Sequence, residues 1–144
     1  MTTTNLTRLV SMERFNNMLT AYNAVTSIIE KVNAKAINNV AIEQLLTANN
    51  VAILAANNIN TTRTAKQTRR SMAAWFRSHE MPTYSIEVEE RGQWVEVEYG
   101  DDKNLIMELA QLGLDNGYDV RVRNNVNGCL RYKQGANWID LPKA

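Results

Sequence analysis

Apolar and small residues recur at Phe15, Met18, Tyr22, Val25, Ile29, Val32 and Ala36 in alternating steps of three and four, while Asn16, Asn23, Thr26 and Glu30 take other positions. Such spacing predicts an amphipathic helix with a heptad seam, the pattern of a coiled coil. Ser11 stands before it as a cap, and Glu13 falls in its first turn beside the positive end of the helix dipole. Residues 2–10, rich in Thr and Asn, predict a frayed terminus. The seam shifts near Asn38–Asn39, a bend or stutter. A second periodic set follows at Leu45, Ala48, Ala52, Ala55 and Ile59, whose small residues permit close helix approach. Asn57, Asn58 and Asn60 predict a turn, and a third helix runs from about Thr64 to His79. The first Pro is Pro82 and the first Gly is Gly92, so no punctuator interrupts this half. The pattern fits a helical hairpin followed by a short helix, or one long bent helix followed by a short one. In both cases the apolar stripe exceeds what a small following domain covers. A second subunit is the simplest cover, which predicts a homo-oligomer.

After Pro82 the period changes to two. Tyr84, Ile86 and Val88 alternate with Ser85, Glu87 and Glu89, and Val95, Val97 and Tyr99 alternate with Trp94, Glu96 and Glu98. With Arg91-Gly92 between them, these segments predict a hairpin. Asp101 or Asp102 caps a helix whose buried face is expected at Leu105, Ile106, Leu109 and Leu112. Asn116-Gly117 ends it with a C′ glycine. Val120 and Val122 mark a third strand, Asn127-Gly128 a turn, Leu130 and Tyr132 a fourth strand, and Trp138–Leu141 a short fifth. The fold class is therefore α+β: residues 1–81 form a helical oligomerisation arm with a basic third helix, and residues 82–144 a small antiparallel ββαββ(β) domain.

Composition changes the picture only through charge. The 144-residue chain has a net charge of +1. Residues 1–83 carry nine Lys and Arg against four Asp and Glu, and residues 84–141 carry six against eleven. Halves of opposite sign neutralise one another or recruit charged partners. The single cysteine, Cys129, admits no internal disulfide and reads as a packing residue in a reducing compartment. No signal-peptide pattern and no membrane-length apolar run is present, so the expected location is the cytoplasm, with no membrane partner.

Catalytic chemistry has little foothold. One histidine and one cysteine cannot build a His/Cys metal site within a chain. No nucleophile elbow, phosphate loop or dinucleotide fingerprint occurs. His79 reads as a helix-end cap, Asp101-Asp102 as an N-cap, and the glutamates of the first hairpin as a solvated strand face rather than a glycosidase pair. No catalytic residue, metal or cofactor is expected. The basic residues are more informative. No acid occurs between Glu43 and Glu80, yet Arg63, Lys66, Arg69, Arg70 and Arg77 do, and Arg63, Lys66, Arg70 and Arg77 share one helical stripe near Trp75 and Phe76. Guanidinium forks beside an aromatic face suit phosphates and bases; docking of the helix through its aromatics, with solvated arginines, is the bland alternative. Arg121 and Arg123 on the third strand, with Arg131 and Lys133 on the fourth, are expected to put four cations on one sheet face. That face would meet either the hairpin glutamates or an anionic ligand.

In its organisation, a long helical arm ahead of a compact sheet domain in a short, Asn-rich chain without catalytic motifs, the sequence resembles phage accessory proteins. Among these it is most similar to the phage anti-Thoeris nucleotide-sequestering proteins. The resemblance implies a cytoplasmic homo-oligomer in the host cell, with intersubunit pockets for cyclic ADP-ribose-type signals lined by Arg and aromatic side chains. Arg69, Arg70, Trp75, Arg121, Arg123 and Arg131 are the residues that could take those roles. The resulting expectation is a non-enzymatic sponge for an anionic, nucleotide-derived molecule. The alternatives are a nucleic-acid binder using the same cations, and a protein inhibitor or assembly factor acting through the helical arm.

Overall fold

The structure, a computed structural model, describes residues 7–35 and 41–141. It is α+β and divides into two compact units, Met1–Arg8 with Arg14–Glu80, and Leu9–Glu13 with Met81–Ala144. The boundary near residue 81 agrees with the change of period. The segment Leu9–Glu13, expected with the helical arm, belongs to the sheet unit.

In the helical unit, α1 (Met12–Lys35), α2 (Ala48–Ala56) and α3 (Ala65–Ser78) are separate helices, with a single 3₁₀ turn at Ile42–Gln44. One long bent helix is thereby excluded. Met18, Ala21, Val25 and Ile29 of α1 are buried within the single chain. Phe15 and Tyr22 meet Phe76 of α3 edge-on, at 5.6 and 5.5 Å. The described part of the seam, from Met18 to Ile29, is thus largely out of water within the single chain. The side chain of Val32, Ala36 and the shift at Asn38–Asn39 lie outside the described residues. Of the second periodic set only Ile59 is buried. Leu45, Ala48, Ala52 and Ala55 are exposed, and the buried apolar residues there are Ile42, Leu54 and Ile59. Asn57 closes α2 from a buried position: its Nδ2 donates to the Ile53 carbonyl (2.8 Å), and its Oδ1 accepts from Arg14 Nε (2.6 Å). The next residue, Asn58, takes φ 61°, the left-handed conformation that Asn tolerates. Thr64 and Gln67 form a capping box that starts α3.

Two-residue strands β1 (Arg8–Leu9) and β2 (His79–Glu80) form a small sheet of their own. The main sheet comprises β3 (Tyr84–Glu90), β4 (Gln93–Gly100), β5 (Val120–Asn124), β6 (Leu130–Gln134) and β7 (Asn137–Leu141) in the order β4-β3-β5-β6-β7, with α4 (Lys103–Asp115) packed on one face. All its pairings are antiparallel. The first hairpin closes through Arg91 (φ 53°) and Gly92 (φ 80°), the two positive φ values that a tight primed turn demands. The ladder then slips between Ile86 and Glu87, so that Glu98 faces Ile86 while Glu96 faces Glu87. The extra residue is Val97, and this bulge removes Glu98 from the row of Glu87, Glu89 and Glu96.

Helix α4 is capped by Asp102, whose Oδ1 accepts from the backbone N–H groups of Asn104 and Leu105. Its buried face is Ile106 and Ala110, with Met107, Leu109 and Leu114 partly buried; Leu105 and Leu112 are 53% and 55% exposed, contrary to the expected face. The cause is Gly113. A Cβ there would stand 3.0 Å from Val120 Cγ2, so the helix approaches the sheet along the Ile106–Ala110–Gly113 line. The core joins this line to Ile86, Val88, Val120 and Val122. Ile106→Ala is therefore expected to destabilise the sheet unit by about 2–5 kcal/mol, and Leu112→Ala by less than about 0.5 kcal/mol, as read by urea denaturation. Equal losses would restore the leucine face.

Candidate functional site

The basic stripe is built by α3. Ala65, Thr68, Met72 and Trp75 turn inward, and the 3.6-residue period then places Lys66, Arg70 and Arg77 together on the outer side. Arg63, Lys66, Arg70 and Arg77 are exposed and Arg69 is half-buried. Among the described residues, none of these five takes part in an ion pair. The first turn of α3 holds no acid, so Lys66 sits unshielded at the positive end of the helix dipole. That placement is locally unfavourable, by about 0.3–1 kcal/mol.

Trp75 does not join this surface. It is 5% exposed, its ring stacked on His79 at 4.4 Å and 11° and met edge-on by Phe76 at 5.1 Å. The Arg14 guanidinium lies 6.0 Å from its centroid. No face remains for a ligand base. His79 holds the end of α3, with Nδ1 2.9 Å from the Trp75 carbonyl. A carbonyl oxygen only accepts, so Nδ1 carries the proton of this bond.

The sheet separates the strand arginines. The loop Asn125–Gly128 has an even number of residues, so odd positions on β5 pair with even positions on β6: Arg121 with Tyr132, Val122 with Arg131, Arg123 with Leu130. The four cations expected on one face are thus split, Arg121 and Arg123 on one side, Arg131 and Lys133 on the other with Val122 and α4. Glu87 stands between the first two. Its Oε1 accepts from Arg121 Nε at 2.6 Å and from Arg123 NH2 at 3.3 Å. The side chains of Glu87 and Arg121 are each only 12% exposed. Arg121 also lies 4.4 Å from the Trp94 ring centroid and donates to the Tyr132 hydroxyl at 3.1 Å. Its guanidinium is thus held by carboxylate, ring and hydroxyl together.

Arg131 grips Asp140 bidentately on the opposite face, Nε to Oδ1 at 2.7 Å and NH2 to Oδ2 at 3.0 Å. This hydrogen bonding holds the Asp140 carboxyl below the usual carboxylate range and raises the guanidinium in turn. The pair borders a cavity of about 130 Å³ whose walls include Tyr84, Lys103, Met107 and Val122. A second, wider cleft of about 290 Å³ opens on the other face beside Glu13, Ser85, Glu87, Trp94, Glu96 and Arg123. Three acids against one arginine make it a poor anion site. Glu96 is already occupied there, accepting from the Met12 N–H at 3.0 Å and from the Ser85 hydroxyl.

The six residues singled out by sequence thus fall into separate settings. Arg70 lies on an open helix surface with Arg69 half-buried beside it, Trp75 in a core, Arg121 and Arg123 on a shared glutamate, and Arg131 on a cavity rim. Sequence reasoning missed Trp94 and Tyr132 as the surroundings of Arg121, and Lys103 as a cavity residue. The alternation on β4 did carry one signal: it puts Trp94 out of phase with Val95, on the charged face. Comparison with known protein families, curated proteins and solved structures finds no match to this chain.

Two outcomes follow from the ion pairs. Arg121→Ala strands a mostly buried Glu87 with only Arg123 and is expected to cost about 2–3 kcal/mol, whereas Arg131→Ala, beside an Asp140 side chain that is 61% exposed, costs less than about 1 kcal/mol. Denaturation followed by the amide NMR signals of the sheet checks both; equal costs would overturn the ranking. Because the Asp140 carboxyl is depressed on folding, its contribution to stability is present above the ordinary carboxylate range and is lost as pH falls through the lowered value. Carboxyl NMR should show Asp140 titrating below the ordinary carboxylate range, and Arg131→Gln should return it to that range.

Proposed function

We propose that this chain is a non-enzymatic binding protein that engages an extended polyanion, the phosphate backbone of a nucleic acid, through the outer face of α3. The observation behind this reading is the exposed, acid-free stripe of Lys66, Arg70 and Arg77, opposite the buried face of the helix, with Lys66 set against its dipole. Lys66 and Arg77 are eleven residues apart, roughly 16 Å along a helix. That is a linear, convex array, suited to successive phosphates and unsuited to enclosing a small molecule. Such contacts position a backbone without reading its sequence. No aromatic side chain is available beside them for base stacking, since Trp75 is buried.

The capture of a nucleotide-derived signal, as in the anti-Thoeris sponges, draws less support. Arg121 and Arg123 are spent on Glu87, and the cavity beside Arg131 is too small to enclose a nucleotide. A helical arm acting as a protein inhibitor is also less favoured, because the described apolar seam is covered within the chain. Among the described residues no helix is long and apolar enough to cross a membrane.

Polyanion binding through α3 makes affinity fall with salt. Each neutralised phosphate contributes a slope of about −0.9 in log K against log salt for duplex DNA, so three contacts give about −3. The variant carrying Lys66→Gln, Arg70→Gln and Arg77→Gln should keep its fold and lose most of that slope, as read by fluorescence anisotropy with labelled duplex and single-stranded oligonucleotides. Salt-independent binding, or unchanged binding by the variant, would overturn the reading.

A further inference from the structure

Beside the first turn of α4 lies a cavity whose lining includes polar side chains that make no hydrogen bond within the described residues. Lys103 and Tyr84 border it, and among the described residues the side chain of neither makes a hydrogen bond or an ion pair. Arg131 commits Nε and NH2 to Asp140, leaving NH1. The neighbouring acids are engaged. Asp101 Oδ1 accepts from the backbone N–H and the hydroxyl of Thr83, and Asp102 caps the helix. Among the residues that line the cavity, Lys103 and Arg131 against Asp140 leave one positive charge in excess. Met107 and Val122 supply an apolar wall.

From this donor set we infer that the cavity binds the oxyanion group of a small molecule, a carboxylate or a phosphoryl group, with Lys103, the Tyr84 hydroxyl and Arg131 NH1 as its donors. The ligand body lies against Met107 and Val122. At about 130 Å³ the space admits a short organic acid or a single phosphate. Charge-assisted contacts of this kind are the strong ones, because donor and acceptor both carry charge in a partly enclosed site. The site is independent of α3: it lies in the sheet unit and recognises one anionic group rather than a row of them.

Cys129 lines the same cavity and is the only cysteine in the chain, so its alkylation reports on the site. Iodoacetate brings its own carboxylate, while iodoacetamide is neutral. Relative to a free thiol such as glutathione, Cys129 is expected to prefer iodoacetate severalfold, and millimolar acetate or inorganic phosphate should slow the reaction. Protection by acetate alone identifies a carboxylate ligand, and protection by phosphate alone a phosphoryl one. Lys103→Gln should remove the preference and weaken protection by about tenfold, the effect of one lost charge-assisted bond. Arg70→Gln on α3 should change neither, which separates this site from the polyanion surface. If Cys129 reacts with neither reagent, acetate and phosphate titrations followed at the amides of Tyr84, Lys103 and Cys129 decide, saturable shifts supporting the site. A preference equal to that of glutathione with no protection by either anion, or flat amide titrations, would overturn the proposal.

Discussion

Strand β3 has neighbours on both sides in the main sheet, and its pairing with β5 determines both faces at once. Ile86 opposite Val122 and Val88 opposite Val120 give α4 an apolar floor. The same register sets Glu87 opposite Arg121 and Ser85 opposite Arg123 on the reverse side. Because side chains alternate with a period of two, neither surface can be changed without the other. A slip by one residue would bring Glu87 under the helix and expose the valines. The apolar pairs and the ion-paired cluster therefore enforce the same alignment from opposite sides.

The arginines of β5 and β6 are balanced in place. Glu87, shielded from water, holds two arginines, one of which also lies over Trp94. Removing such groups from water is costly, and only several simultaneous contacts offset the loss of hydration. Arg131 and Asp140 solve the problem differently, by bidentate geometry at a wetter site where screening is stronger. The α3 cations have no such partners among the described residues, and Lys66 lies where the helix dipole disfavours it. Local conflict of this kind, left without compensation in a fold otherwise consistent, is a mark of a functional surface.

The helical unit shows how a periodic pattern can promise more than one arrangement. The α1 seam is well spaced for a coiled coil, yet the aromatic side chains of α3 reach Phe15 and Tyr22 within the same unit. Once Met18 and Val25 are out of water, little hydrophobic driving force remains along the described seam for a second chain. The small-residue set of the second helix met the reverse fate: Ala48, Ala52 and Ala55 have too little apolar area to compete with Ile42 and Leu54 for the interior.

What was legible in the sequence is what neighbouring residues decide among themselves. The Arg91-Gly92 turn, the start of α3 at Thr64, the Asp102 cap and the Asn116-Gly117 stop depend on φ preferences and hydrogen bonds spanning a few residues, and each stands where its local chemistry places it. The hairpin and the α+β class follow from periods readable in short windows. Only the tertiary structure decided the buried side of α4, since that turned on a close approach between Gly113 and the distant Val120. It alone separated Arg131 from Arg121 and Arg123, because loop parity and strand register set which side chains share a face. It alone buried Trp75, whose neighbours Phe15 and His79 come from opposite ends of the helical unit. A residue's type and spacing state what it can bind; whether it is already bound depends on partners brought close only by the fold.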